Sequence, residues 1–61
     1  MQNYLYCFDS NYNIQATCSM YSLLTNNTEQ LNIYIIHKEP YTFRKYQKKL
    51  EKLNNLNELK L

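Results

Sequence analysis

The stretch Tyr-Leu-Tyr-Cys-Phe-Asp-Ser-Asn-Tyr at residues 4–12 decides the fold of this 61-residue chain. An apolar and aromatic run over residues 3–8 stops at Asp9, and a helical spacing of apolar residues begins shortly after it. A short, continuous apolar run is typical of a strand buried on both faces of a parallel sheet. The sequence therefore predicts a strand that leads into a helix, with Asp9, Asn11 and Tyr12 at the junction.

The same alternation of patterns continues along the chain. Apolar residues recur at helical spacing over residues 13–26, and a second β-branched and aromatic run occupies residues 31–37. A further amphipathic pattern predicts a helix over residues 42–54, and residues 57–61 alternate like the start of a strand. The order predicts the α/β class, with a βαβα(β) Rossmann-like parallel unit in one partial domain at residues 1–61.

The size of the chain limits what this unit can do alone. A chain of 61 residues buries only about 60% of its unfolded surface. Strands that are apolar on both faces need helices on both faces of the sheet, and the sequence supplies too few. We therefore expect the N-terminal part of a larger domain, whose exposed strand edges could also mediate oligomerisation.

Composition excludes several classes of protein. No apolar run approaches the roughly 20 residues of a membrane span, and the N-terminus lacks the pattern of a signal peptide, so a cytoplasmic protein is expected. Cys7 and Cys18 form no Cys-x-x-Cys pair and predict reduced core thiols. The chain has no glycine and nine asparagines, so its turns are expected to place Asn, Asp or Ser in left-handed conformations.

Charge is distributed unevenly along the sequence. The net charge is +2, and residues 1–37 contain no lysine or arginine. The predicted second helix carries the basic residues Arg44, Lys45, Lys48, Lys49 and Lys52. We interpret them as the solvated side of a helix whose apolar stripe packs on the sheet. Binding of phosphates or an anionic membrane is the other interpretation, and nucleic-acid binding is not favoured.

The polar residues alone predict neither catalysis nor a metal site. His37 is the only histidine and lies at the end of a predicted strand, where a structural hydrogen-bonded role is expected. Residues 9–13 match the first half of a calcium loop, but Ile14 and Met20 stand where the loop needs Gly and Glu.

Three ordered segments resemble the start of family 8 glycosyltransferases, which include lipopolysaccharide galactosyl- and glucosyltransferases. They are Tyr-Cys-Phe-Asp-Ser-Asn-Tyr at 6–12, Ser-Leu-Leu-Thr-Asn-Asn at 22–27 and Ile-Tyr-Ile-Ile-His at 33–37. The resemblance covers nearly the whole chain, and it implies the start of a GT-A domain that binds a nucleotide sugar. The sequence departs from the family at 38–40, where Lys-Glu-Pro replaces a segment that commonly contains glycine.

The resemblance implies a nucleotide-binding set of Phe8, Asp9, Asn11 and Tyr12. By this resemblance Asp9 accepts a hydrogen bond from uracil, Asn11 contacts the ribose and Tyr12 stacks on the base. The roles suit the chemistry, because a carboxylate accepts from an imide N–H and a phenol ring offers a stacking face.

The reaction implied by the resemblance is retaining transfer of a hexosyl group from a UDP-sugar to a saccharide acceptor. The family uses Mn²⁺, but its Asp-x-Asp motif and its later His-containing motif are absent from these 61 residues. The chain is therefore expected to be inactive alone, with a parent enzyme that is cytoplasmic and peripheral to the membrane. The alternative is a small non-catalytic interaction or oligomerisation module whose basic helix binds an anionic partner.

Overall fold

The computed structural model of the chain describes residues 2–53 and 55–61. Its strands and helices are β1 (Gln2–Phe8), α1 (Asn13–Thr25), β2 (Leu31–His37), α2 (Arg44–Leu50) and β3 (Leu56–Lys60). The three strands form one parallel sheet in the order β1-β2-β3. The predicted α/β class and the parallel pairing of its strands are confirmed.

Strands β1 and β2 are aligned along their whole length. Their register runs without interruption from Gln2 opposite Leu31 to Phe8 opposite His37. The two carboxyl ends therefore lie side by side, and the rings of Phe8 and His37 are 4.8 Å apart in an edge-to-face arrangement. This alignment brings the β1–α1 and β2–α2 loops together at one edge of the sheet.

The hydrophobic core lies on one face of the sheet. Alternate residues Leu31, Ile33 and Ile35 of β2 are buried. They join buried residues of both helices, of β3 and of the loop before α2, namely Ala16, Met20, Leu24, Phe43, Leu50 and Leu59. The two crossover connections, β1–α1–β2 and β2–α2–β3, have the same hand and advance across the sheet in the same direction. Helices α1 and α2 therefore lie on the same face of the sheet.

The opposite face of the sheet is open, as expected of a sequence that supplies too few helices to cover both faces. Leu5 is 64% exposed and Ile36 is 63% exposed. Cys7 on this face and Cys18 on α1 are also exposed, which corrects their prediction as core thiols. Apolar residues occupy both faces of these strands, so the sequence pattern is that of strands buried on both faces. Helices, however, cover only one face of the sheet.

The second helix is shorter than the predicted 42–54. Pro40 opens a 3₁₀ turn, Pro40–Thr42, and α2 begins only at Arg44. After Leu50 the chain tightens again, since the Leu53 N–H donates to the Leu50 carbonyl at 3.0 Å. Asn54, the predicted last residue of this helix, lies outside the described residues.

The turns of the described residues contain no left-handed residue. No residue in 2–53 or 55–61 has a positive φ, which corrects the expectation for asparagine. Asn26 ends α1 at φ −94°, and the amide of Asn27 donates to the Leu23 carbonyl at 2.7 Å. Side-chain bonds to the last carbonyls of the helix thus replace the left-handed cap.

Candidate functional site

A groove of about 700 Å³ opens where β1 and β2 end. Phe8, Asp9 and Tyr12 line it from the β1 side, and His37 and Lys38 line it from the β2 side. Ligands of open parallel sheets bind at the carboxyl ends of the strands, so the position matches the one expected from the topology. We call this feature the edge groove.

Asp9 combines a structural role with a free acceptor. Its Oδ1 accepts a hydrogen bond from the Asn11 N–H at 3.0 Å, and its carbonyl accepts one from the Tyr12 N–H at 3.0 Å. Asp9 therefore caps the 3₁₀ turn Ser10–Tyr12, which leads directly into α1. Oδ2 makes no hydrogen bond within the described residues, 2–53 and 55–61, so a ligand can use it.

The other three predicted nucleotide residues differ in position. Tyr12 lines the edge groove with a side chain that is 57% exposed, so its ring can stack on a planar ligand. Phe8 is half-buried and packs edge-to-face on Phe43, with 5.2 Å between ring centroids. Asn11 does not line the edge groove; it is exposed, and its backbone N–H bonds to Asp9. The structure therefore brings together three of the four residues.

A hydrogen-bond network joins the β1–α1 and β2–α2 loops beneath the edge groove. The Glu39 N–H donates to Nδ1 of His37 at 2.8 Å, so the imidazole proton lies on Nε2. Nε2 in turn donates to Oδ1 of Asn13 at 2.7 Å. The amide of Asn13 then donates to Oγ1 of Thr42 at 3.1 Å. His37 thus has the predicted hydrogen-bonded structural position.

Sequence reasoning did not identify the partners of His37. Asn13 is the buried polar residue among those described, at 7% exposure, and Thr42 closes the network by donating to the Glu39 carbonyl at 2.7 Å. Asn13 and Thr42 are 29 residues apart. Their pairing depends on the register of β1 and β2, so no local motif indicates it.

Glu39 adds a charge-assisted hydrogen bond between the loops. The backbone N–H of Ser10 donates to Oε1 of Glu39 at 3.1 Å. This hydrogen bond, followed by one from the Ser10 side chain, holds the pKa of the Glu39 carboxyl below its ordinary value of 4.5, with a smaller contribution from the charge of Lys38. The carboxylate is therefore ionised at neutral pH and fixes the start of the 3₁₀ turn.

The edge groove presents one charge of each sign. Asp9 is the carboxylate and Lys38 is the cation among the residues that line it. The Lys38 N–H donates to the Phe8 carbonyl at 3.4 Å, which fixes the backbone of Lys38 beside the end of β1. Such a groove can hold a planar polar ring at Asp9 and Tyr12 and an anionic group near Lys38.

The lining residues do not form a catalytic pair or a manganese site. Asp9 is the only carboxylate among the described residues that line the edge groove, and both ring nitrogens of His37 are already hydrogen-bonded. Within residues 2–53 and 55–61, no group of three or more His, Cys, Asp or Glu side chains is arranged to hold a metal ion. The donors present among these residues do not fit the Mn²⁺ implied by the resemblance.

Comparison of the chain with protein-family models, with curated proteins and with solved structures finds no match. The helices of the described part of the chain are all too short or too polar to cross a membrane.

Proposed function

We propose that this chain binds the uracil nucleotide of a nucleotide sugar in the edge groove, as the first unit of a family 8-like GT-A glycosyltransferase does. The observation that carries the proposal is the meeting of Phe8, Asp9 and Tyr12 in one groove at the carboxyl end of β1. These residues belong to the segment that resembles the family, and they lie at the carboxyl end of a parallel strand, where ligands of open α/β sheets bind.

Each part of a uridine nucleotide has a chemical counterpart in the edge groove. The imide N–H of uracil would donate to Oδ2 of Asp9, while Oδ1 remains the cap of the 3₁₀ turn. The exposed ring of Tyr12 would stack on the base. Lys38 would neutralise part of the diphosphate charge. Asn11 would reach the ribose from the rim, a contact that rests on the resemblance alone.

The proposed share of this chain in the reaction is nucleotide recognition. The implied reaction is retaining transfer of a hexosyl group from a UDP-sugar to a saccharide acceptor. We expect UDP binding without transfer, because the edge groove offers one carboxylate and no pair of acid and base groups.

An amide NMR titration of the full chain with UDP tests this proposal. Saturable shifts are expected at residues 8–12 and 36–38, and they should be lost in Asp9→Asn and Tyr12→Ala. Asn at position 9 keeps an oxygen that accepts from the Asn11 N–H, so lost binding would not reflect a lost cap. Tyr41→Ala is the control, since Tyr41 is 72% exposed and does not line the edge groove. A dispersed spectrum that ignores UDP contradicts the proposal.

A second candidate function is an interaction module, and the open face of the sheet favours it. Leu5, Tyr34 and Ile36 are exposed on that face, and β1 and β3 are the edge strands of the sheet. Exposed apolar patches and unpaired edges are features of association surfaces. Light scattering across a concentration series should then show a defined oligomer that Leu5→Lys dissociates, whereas a constant monomer mass excludes this function.

A further inference from the structure

The outward side of α1 carries no charge. None of the 13 residues from Asn13 to Thr25 is acidic or basic. Its solvent-facing residues include Ile14, which is 64% exposed, and Tyr21, which is 54% exposed. Cys18 lies between them at a spacing of four and three residues, so the three share one helical face. A surface helix usually carries charged residues on this side.

The outward side of α2 has the opposite character. Lys45, Lys48 and Lys49 are exposed, and their spacing of three and four residues places them on one helical face. Lys52 continues the series in the turn that follows. Like charges at a spacing of four residues destabilise a helix, so this stripe favours an anionic partner.

The two helical faces adjoin. Cys18 and Tyr21 from α1 and Lys49 and Leu50 from α2 line one shallow groove of about 440 Å³. The uncharged stripe and the lysine stripe therefore form one continuous surface on the helical side of the molecule. We call it the outer helix surface, and it comprises Ile14, Cys18, Tyr21, Lys45, Lys48, Lys49 and Lys52.

We propose that the outer helix surface binds an anionic phospholipid bilayer. Burial of α1 in the interface would desolvate no charged side chain, which removes the largest penalty for entering a medium of low dielectric constant. The lysines of α2 would reach the lipid phosphates while their aliphatic stems remain over the apolar region. An aliphatic Ile14 beside a tyrosine and a thiol suits acyl chains better than nucleic-acid bases, which bind by aromatic stacking.

Vesicle binding by the full chain tests the electrostatic part of the proposal. Co-sedimentation is expected with vesicles of 70% phosphatidylcholine and 30% phosphatidylserine, and not with phosphatidylcholine alone. Lys45→Gln combined with Lys49→Gln should weaken binding about 25-fold, since each lysine near the surface contributes about fivefold. The matched control is Lys60→Gln, which changes an exposed lysine on β3 and should reduce binding far less.

The two cysteines provide a matched pair of probes for orientation. Cys18 lies on the outer helix surface and Cys7 lies on the open face of the sheet, and both are exposed. A polarity-sensitive thiol dye is attached to Cys18 in Cys7→Ser and to Cys7 in Cys18→Ser. On anionic vesicles the Cys18 dye should report an apolar environment, and the Cys7 dye should remain aqueous.

Any of three results with vesicles would overturn the proposal. They are absence of binding to the anionic vesicles, equal binding by the double lysine variant, and a shift of the Cys7 dye rather than the Cys18 dye. Salt-sensitive binding of a mixed RNA pool without vesicle binding would also overturn it and would identify a nucleic-acid surface instead. Vesicle binding does not depend on the proposed UDP site, because no residue of the outer helix surface lines the edge groove.

Discussion

Nε2 of His37 lies 2.7 Å from Oδ1 of Asn13, and this hydrogen bond joins the end of β2 to the first residue of α1. The same imidazole accepts from the Glu39 N–H through Nδ1, so the loop after β2 folds back over the strand that precedes it. Since Asp9 and Tyr12 lie just before Asn13 in the chain, the bond fixes the base of the edge groove.

Substitution of Asn13 should therefore destabilise the whole domain. Asn13→Ala leaves the half-buried His37 Nε2–H without its acceptor and removes the donor to the Thr42 hydroxyl oxygen. We expect a loss of about 1–3 kcal/mol in the free energy of unfolding, measured by urea denaturation followed by circular dichroism. Asn26→Ala, at an exposed asparagine, is the control and should change it by less than about 0.5 kcal/mol. Equal effects of the two substitutions would contradict the role of the network.

Neighbouring isoleucines on β2 test the one-sided burial of the sheet. Ile35 is 4% exposed and Ile36 is 63% exposed. Ile35→Thr removes a buried methyl group and buries a hydroxyl, and it should lower the free energy of unfolding by about 2–4 kcal/mol. Ile36→Thr makes the same substitution at an exposed position, so it should change the free energy of unfolding by less than about 0.5 kcal/mol. Thermal melts of both variants at low protein concentration measure these changes. Similar losses of unfolding free energy in the two variants would mean that the open face is covered in solution.

The sequence predicted the order of elements because each has a local cause. The period-2 and period-3.6 patterns depend on neighbouring residues, so the bounds of β2 and the start of α1 match the structure closely. Which strand face is covered depends instead on strand order and crossover direction, which local patterns do not contain. For that reason Cys7 and Ile36 appeared to be core residues but are exposed.

Some residues of the candidate site could also be predicted from local sequence, and others could not. Phe8, Asp9 and Tyr12 lie within residues 8–12, so a single strand–turn–helix junction predicts their proximity. Lys38 and His37 reach the edge groove only because β1 and β2 end level with each other. A long-range register of this kind requires the structure.

The chemistry of Asp9 predicts a nucleotide preference for the proposed site. Uracil presents a donor at N3, whereas cytosine presents an acceptor there, so UDP should bind at least about tenfold more tightly than CDP. Asp9→Asn keeps the cap oxygen and replaces Oδ2 by an amide donor, which suits cytosine N3. Calorimetric titration should show the preference shifting towards CDP in this variant. An unchanged preference would mean that Asp9 does not contact the base.

Phe43 should be indispensable for folding. It is fully buried and lies 5.2 Å from the ring of Phe8 and 5.7 Å from that of Tyr46. Phe43→Ala is expected to lower the free energy of unfolding by about 3–5 kcal/mol. A core this small supplies about that much stability in total. The variant should lose the dispersion of its amide NMR spectrum at 25 °C, whereas Tyr41→Ala should retain it. A dispersed spectrum for Phe43→Ala would show that the core lies elsewhere.

Glu39 makes stability depend on pH through its bond to Ser10. Because the folded-state pKa of Glu39 is below 4.5, the ionised carboxylate stabilises the fold above that pH. The contribution is lost as the pH falls through the folded-state pKa. Wild type should therefore be more stable than Glu39→Gln at pH 7, and the difference should vanish once the pH is well below the folded-state pKa. Urea denaturation of both proteins at several pH values measures this difference in the free energy of unfolding.

Ser10→Pro separates this hydrogen bond from other effects of the charge. Proline lacks the N–H that donates to Glu39 and is tolerated at the first position of a helical turn. The preceding Asp9 has φ −118° and ψ −175°, an extended conformation that proline accepts in its neighbour. When Glu39→Gln is made in the Ser10→Pro background, its pH-dependent effect on the free energy of unfolding should nearly disappear. Proline also lacks the Ser10 hydroxyl, so if the effect persists, the stabilising partner of the carboxylate is not Ser10.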